Sequence, residues 1–335
     1  MEYRVLGKTG LTISTLGFGG IPIQRVGEQG AKELLQKVQQ VGVNFIDSAR
    51  GYTVSEEYIG YAIEGMRDKF VLATKSMSRD KESMARDIDT SLKNFRTDYI
   101  DLYQFHNPNA AQLDQILAPG GAMEAMQEAK AAGKIGHIGV TLHSLEVFRQ
   151  VVELPWVESV MFPYNIVENQ GEELIAKCAE KNIGFICMKP LAGGAIEDAT
   201  LALRFIAQNP NVTVAIPGMA ELKEVEQNAA AMADQSPLTE EELAKISQIR
   251  KDLGTNFCRR CGYCAPCTVG IGIPGALVAE GYALRYNLRS YGEKRYEASG
   301  TPASECVECG LCEERCPYHL PIRQMMKHLV QTFGK

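Results

Sequence analysis

Eight short apolar runs alternate with eight longer amphipathic segments, and that alternation constrains the fold more than any other feature. The runs lie at 15–19, 44–47, 70–75, 99–106, 135–142, 159–165, 184–190 and 212–218. Helical periodicity fills 29–42, 55–65, 81–96, 120–132, 144–153, 169–181, 197–208 and 221–233. The runs are apolar throughout, as in parallel strands covered on both faces. Eight such units in about 230 residues suit a closed (β/α)8 barrel of the TIM type better than an open sheet. No Gly-rich phosphate turn follows the first run, as a doubly wound dinucleotide fold requires. A hairpin formed by 3–5 and 11–14 around Lys8-Thr9-Gly10 is placed to plug the N-terminal end of the barrel.

Beyond the eighth unit, Thr239 and Glu242 are spaced as a capping box for one more helix, which Gly254 ends. Cysteine, glycine and proline then take over. The boundary falls at 254–257, giving a barrel domain over 1–255 and a second, metal-organised, mainly helical domain over 256–335. A core that small needs a staple.

Eight of the ten cysteines supply it. Cys258, Cys261, Cys264 and Cys267 form one run; Cys306, Cys309, Cys312 and Cys316, followed by Pro317, form the other. Two residues between thiolates let three of them take successive corners of an iron–sulfur cube, and the second run follows the bacterial ferredoxin pattern in which the fourth cysteine serves the other cluster. The expected sets are Cys258, Cys261, Cys264 and Cys316 for one [4Fe–4S] cluster, and Cys306, Cys309, Cys312 and Cys267 for the other. Two residues rather than three precede Cys267, and no proline follows it, so the exchange of fourth ligands is less firmly specified than the cluster count. Structural zinc sites, the competing reading, use paired Cys-x-x-Cys hooks rather than unbroken runs. Cys178 and Cys187, alone in apolar surroundings, read as buried small residues.

The chain has 335 residues, 45% of them hydrophobic, and 35 Lys plus Arg against 41 Asp plus Glu, a net charge of −6. This acidic balance without a basic block gives no support for nucleic-acid binding or an anionic membrane surface. The apolar runs are far shorter than the roughly 20 residues of a membrane span. The first residues lack the apolar core of a signal peptide, so the expected location is cytoplasmic.

Four polar residues stand where barrel enzymes keep their chemistry, at the carboxyl ends of strands. They are Asp47, Tyr52, Lys75 and His106. A tyrosine with an unperturbed pKa of about 10 is a poor acid unless a cation favours its phenolate. Lys75 supplies the cation, Asp47 holds Lys75, His106 orients a carbonyl, and Tyr52 gives its proton as hydride reaches the carbon.

The segments Leu6-Gly-Lys-Thr-Gly-Leu11, Asn44-Phe-Ile-Asp-Ser-Ala-Arg-Gly-Tyr52, Ala73-Thr-Lys75 and Tyr103-Gln-Phe-His106 resemble the aldo–keto reductases, as do Pro163-Tyr164-Asn165, Lys189-Pro190-Leu191 and Ile216-Pro217-Gly218. The resemblance covers 1–235 and implies a barrel that binds a nicotinamide cofactor without a Rossmann turn. Asp47, Tyr52, Lys75 and His106 match its catalytic tetrad, for reduction of a small aldehyde or ketone. The tail is similar to that of a branch with a ferredoxin-like extension. Thr141, Asn165, Lys189, Gly218, Gln227 and Asn228 match cofactor-binding positions, with departures: Thr141-Leu142 stands for the usual Ser-Asn, Met161 for Gln, Met188 for the stacking aromatic residue, and Gln227 for Glu. Met219-Ala220-Glu221 and Glu224 replace the basic residues that clamp a 2′-phosphate. Carboxylates there favour NADH over NADPH or mark a weakened nicotinamide site, unless Lys189 or Lys223 restores the charge.

Hydride carries two electrons and a cubane normally passes one, so a flavin would ordinarily join them; no reliable flavin motif is present. The clusters are read as structural, redox-sensing or feeding single electrons. Two alternatives to a carbonyl reductase follow: an electron-transfer protein whose barrel binds a flavin or metabolite and whose clusters exchange electrons with ferredoxin or another partner, and a scaffold whose clusters only hold the tail. Arg259 and Arg260 read first as a solvated pair and second as a dock for an acidic partner. Tyr282, Arg285, Tyr286 and Arg289, within 268–305, read as packing and surface rather than as a cover for the barrel mouth.

Overall fold

A computed structural model describes all 335 residues. Strands β1 (Tyr3–Val5) and β2 (Thr12–Ser14) form an antiparallel hairpin with Tyr3 opposite Ser14. Eight parallel strands follow: β3 (Phe18–Gly19), β4 (Phe45–Asp47), β5 (Val71–Ser76), β6 (Ile100–His106), β7 (Ile135–Thr141), β8 (Ser159–Pro163), β9 (Gly184–Met188) and β10 (Val214–Ile216). They pair in sequence order from β3 to β10. The first run closes onto the last: Leu16 bridges Ala215 and Gly19 bridges Gly218, and Gly19 N donates to Pro217 O at 2.9 Å. The expected strand 15–19 is thus the seam of the barrel, although its regular part is only Phe18–Gly19.

The period of two sorts each strand. Phe45, Ala73, Leu102, Met161, Ile186, Val214 and Ile216 point inward and pack together with Leu6 and Ile13 of the hairpin segment, all buried. The hairpin does plug the barrel. Gly7 makes the close approach possible: it has φ +52°, and a Cβ there would meet Asn182 O at 2.7 Å. The outward residues pack under the helices, in a separate cluster that includes Phe18, Leu35, Leu72, Tyr103, Phe148 and Phe185.

One helix went unforeseen. Residues Ala110–Leu117 form it, opened by a reciprocal capping box between Asn109 and Gln112, so the loop after β6 is not short. The Asn109…Gln112 spacing was the available signal.

The polypeptide divides into two compact units. One comprises Met1–Asn165, Asn169–Pro190 and Ala199–Pro237; the other comprises Ile166–Glu168, Leu191–Asp198 and Leu238–Lys335. The second unit is mainly helical, with helices Glu240–Gly254, Ile273–Leu284, Arg289–Glu297, Leu311–Glu314 and Ile322–Phe333. Thr239 caps the first of these, with Glu242 completing the box. Helices Ile273–Leu284 and Arg289–Glu297 touch at Gly292, where a Cβ would meet Ala279 O at 2.7 Å. No helix is long and apolar enough to cross a membrane.

Candidate active site and cluster sites

Because the strands are parallel, their carboxyl ends share one rim. Asp47 ends β4, Lys75 is the penultimate residue of β5, His106 ends β6 and Thr141 ends β7. Asn165, Lys189 and Gly218 lie one or two residues beyond β8, β9 and β10. The inward face that is apolar lower in the barrel turns polar at this rim: Phe45 gives way to Asp47, Ala73 to Lys75, and Leu102 to Gln104 and His106.

Lys75 Nζ donates to Asp47 Oδ2 at 2.5 Å and to Ser48 O at 2.7 Å, with both side chains buried. Burial pushes the Lys75 ammonium down and the Asp47 carboxyl up; their mutual attraction opposes both shifts. Nζ also lies 5.0 Å from the centroid of the Tyr52 ring. Tyr52 and His106 meet edge to face, with centroids 6.1 Å apart at 90°. The four residues separated by up to 59 positions in sequence therefore form one contact set.

Sequence reasoning missed two parts of this assembly. Gln104, fully buried, donates from Nε2 to Asp47 Oδ1 at 3.3 Å; a polar residue two positions before His106, on the same strand face, was its signal. Arg50 braces the loop that carries Tyr52. Its Nη1 donates to buried Glu56 at 2.5 Å, and Glu56 also accepts from Thr74 at 2.7 Å and Ser91 at 2.8 Å.

The expected cofactor positions are dispersed along the rim and on helix Leu222–Ala233. Thr141 Oγ1 accepts from Asn107 N at 3.1 Å. Asn165, fully buried, donates from Nδ2 to Lys189 O at 2.9 Å. Gln227 donates to Thr200 Oγ1 at 3.1 Å, and Asn228 is buried. Gly218 is pressed against Pro22, whose Cγ would lie 2.6 Å from a Cβ. The N-terminus of helix Leu222–Ala233 carries a capping box built from two acids, Glu221 and Glu224. Glu224 accepts from Ala220 N at 2.7 Å and Glu221 N at 3.0 Å. Lys223 is paired with Glu221 at 2.8 Å. The rim residues fit a nicotinamide; this helix terminus is already supplied with two carboxylates.

In the second unit, Cys267, Cys306, Cys309 and Cys312 line one pocket, with Val269, Ile271, Ile273 and Met326 as apolar walls. That is the set expected from spacing for one cluster. Cys258, Cys264 and Cys316 pack in the same apolar core, Cys264 and Cys316 buried. No cysteine is bridged to another. No three His, Cys, Asp or Glu side chains close on a point that a single ion would take. Cys178 and Cys187 are buried elsewhere, as expected.

The solvated-pair expectation for Arg259 and Arg260 is wrong. Arg260 forms an ion pair with fully buried Glu168 and is itself only 9% exposed. Arg259 donates to Gly254 O at 3.0 Å and Val167 O at 3.3 Å and lies 4.0 Å from the Tyr318 ring centroid. Adjacent charges read as surface because Val167 and Glu168, which hold them, lie 92 residues away along the chain. Tyr282, Tyr286 and Tyr291 pack as an aromatic group, with Tyr282 centroids 5.4 and 5.0 Å from the other two. Arg285 donates to Gly193 O at 2.9 Å.

A parallel eight-stranded barrel with this rim set defines an oxidoreductase of the aldo–keto reductase type. The sequence matches the aldo/keto reductase family over 15–201 and 196–251, and the 4Fe-4S dicluster domain over 257–321. The chain belongs to the aldo/keto reductase family and carries a 4Fe–4S domain at its C-terminal side. It is similar to an L-galactose dehydrogenase of Arabidopsis thaliana, 26% identical over 74% of this chain and 94% of that one. It is also 32% identical to the aldo-keto reductase YhdN of Bacillus subtilis, over 60% of this chain and 66% of the relative. Among solved structures, the holo form of aldo-keto reductase AKR11C1 from Bacillus halodurans superposes with a TM-score of 0.64 at 25% identity, covering 74% of this chain and 96% of that one.

Proposed function

We propose that the protein is a cytoplasmic carbonyl reductase that converts a small aldehyde or ketone to the alcohol, prefers NADH to NADPH, and holds two [4Fe–4S] clusters in its second unit. A bound reduced nicotinamide supplies the hydride. His106 and Tyr52 hold the carbonyl oxygen, and the Tyr52 hydroxyl delivers its proton to that oxygen. The phenolate left behind is stabilised by the Lys75 ammonium, which Asp47 keeps charged against burial. Tyr52 then recovers a proton from water. The carrying observation is the contact set of Lys75 Nζ, 2.5 Å from Asp47 and 5.0 Å from the Tyr52 ring centroid.

The acidic box at Glu221 and Glu224 supports the NADH preference, since a dianionic 2′-phosphate would meet two carboxylates. The pocket of Cys267, Cys306, Cys309 and Cys312 supports one ligand set, leaving Cys258, Cys261, Cys264 and Cys316 for the other. These thiolates would hold the clusters, which supply one-electron chemistry or rigidity. Tyr52→Phe is expected to lower kcat for carbonyl reduction by ~10²- to 10⁴-fold, the scale of a lost general acid. Nicotinamide binding, followed by fluorescence, should persist. A fully active Tyr52→Phe enzyme overturns the assignment.

A further inference from the structure

Arg79 stands at the carboxyl rim of the barrel without a carboxylate partner. It lies three residues beyond β5, and its Nη2 donates across to the backbone oxygen of His106 at 2.8 Å. Its other acceptor is the carbonyl of Ser78, 3.3 Å from Nη1. Nε is buried and meets no acceptor. The acids nearest in sequence are engaged elsewhere: Asp80 accepts from Ser83 N at 2.9 Å, Glu82 lies 3.7 Å from Arg86, and Asp87 accepts from the Ser78 hydroxyl at 2.7 Å and from Ser76.

The remaining arginines that the barrel unit buries or half-buries are treated differently. Arg4 pairs with Glu2, Arg50 with Glu56, Arg67 with Asp101 and Arg204 with Asp234. Arg79 alone pays for burial with backbone carbonyls, and desolvation holds its guanidinium below the ordinary arginine range with no counter-charge to offset it. Backbone carbonyls satisfy N–H groups but leave a full positive charge uncompensated, within hydrogen-bond distance of the backbone of His106.

We propose that Arg79 is a substrate-anchoring residue, which binds the carboxylate of a substrate whose aldehyde or ketone group reacts at Tyr52 and His106. The substrate class is then the oxo acids rather than neutral carbonyls. The anion supplies the missing counter-charge, and its binding to a guanidinium in a partly desolvated site is stronger than on an open surface. This assignment rests on the carbonyl-reductase reading above.

The test uses the full-length, cluster-loaded enzyme and matched pairs of probes: butanal with succinate semialdehyde, and pentanal with glutarate semialdehyde. The wild type is expected to prefer the anionic member by about 10- to 100-fold in kcat/KM, the scale of a charge-assisted hydrogen bond. Arg79→Gln should collapse that ratio, and Arg79→Lys, which keeps a cation and a donor for His106, should retain part of it. A wild type without preference overturns the proposal. So does an Arg79→Gln enzyme that loses both members alike, because a prop for His106 would act on every carbonyl equally. Titration calorimetry of the two semialdehydes against enzyme free of nicotinamide separates this from the reaction itself. Binding weakened in Arg79→Gln supports the anion site even where no carbonyl is reduced, whereas wild-type binding that Arg79→Gln leaves unchanged, or no wild-type binding, removes it.

Discussion

Lys75 is the residue on which the proposed chemistry turns, because burial works against its charge and Asp47, 2.5 Å away, chiefly opposes that effect, with a smaller contribution from Glu56. A cation beside a phenol stabilises the phenolate and lowers its pKa. Lys75→Met should therefore lower the plateau of kcat by ~10²-fold or more, as a weaker acid would. It should also move the alkaline limb of the pH profile to higher pH, since Tyr52 then stays protonated longer. A profile whose limb does not move would detach Lys75 from Tyr52. At the opposite end of the barrel, Glu158 shapes acid stability. Burial pushes its carboxyl up, but His137 and Lys130, each 2.6 Å away, and the Ile138 N–H overcome this and hold it at about 2. A carboxylate depressed in the folded state contributes stability above its ordinary value near 4.5 and loses it as pH falls toward 2. Glu158→Gln should accordingly be less stable at neutral pH and show a shallower loss across that acid window, measured by urea unfolding at several pH values.

At the scale of elements, the strand–helix alternation, the hairpin and the capping box at Thr239 were legible because each depends on neighbours in sequence. Strand ends were less so: the run expected at 15–19 is regular only over Phe18–Gly19, where it pairs with Ile46 and Asp47, and meets the last strand only through isolated bridges. The proposed NADH preference belongs to helix Leu222–Ala233. Its two acidic caps occupy N-terminal donors and present negative charge. Replacing Glu221 and Glu224 together by Gln keeps acceptors and removes two charges. The kcat/KM ratio of NADPH to NADH should rise about tenfold, corresponding to ~0.7 kcal/mol for each charge at a helix terminus. An unchanged ratio would place the adenosine end of the cofactor elsewhere.

Across the whole molecule, the second unit has a small core into which Cys264 and Cys316 are built, with Cys258, Cys267, Cys306 and Cys312 packed against it. A cluster bound there is linked to folding of that unit. Cys267→Ser is expected to lose about half the iron and the signal of one cluster by electron paramagnetic resonance, while Cys178→Ser retains both. Full iron in Cys267→Ser would reassign the fourth ligand. Protein prepared without iron should lose protease resistance in the second unit before the barrel, whose core is separate.

The sequence by itself determined the barrel, the cysteine spacing and the identity of the rim residues, because periodicity and x₂ spacing are local and survive in one dimension. Only the tertiary structure decided which charges meet. Gln104 against Asp47, Ser91 on Glu56, Glu168 on Arg260 and the absence of any acid on Arg79 all depend on residues brought together from distant positions. The energy of a charge is set by its burial and its partners, and neither can be read from its neighbours along the chain.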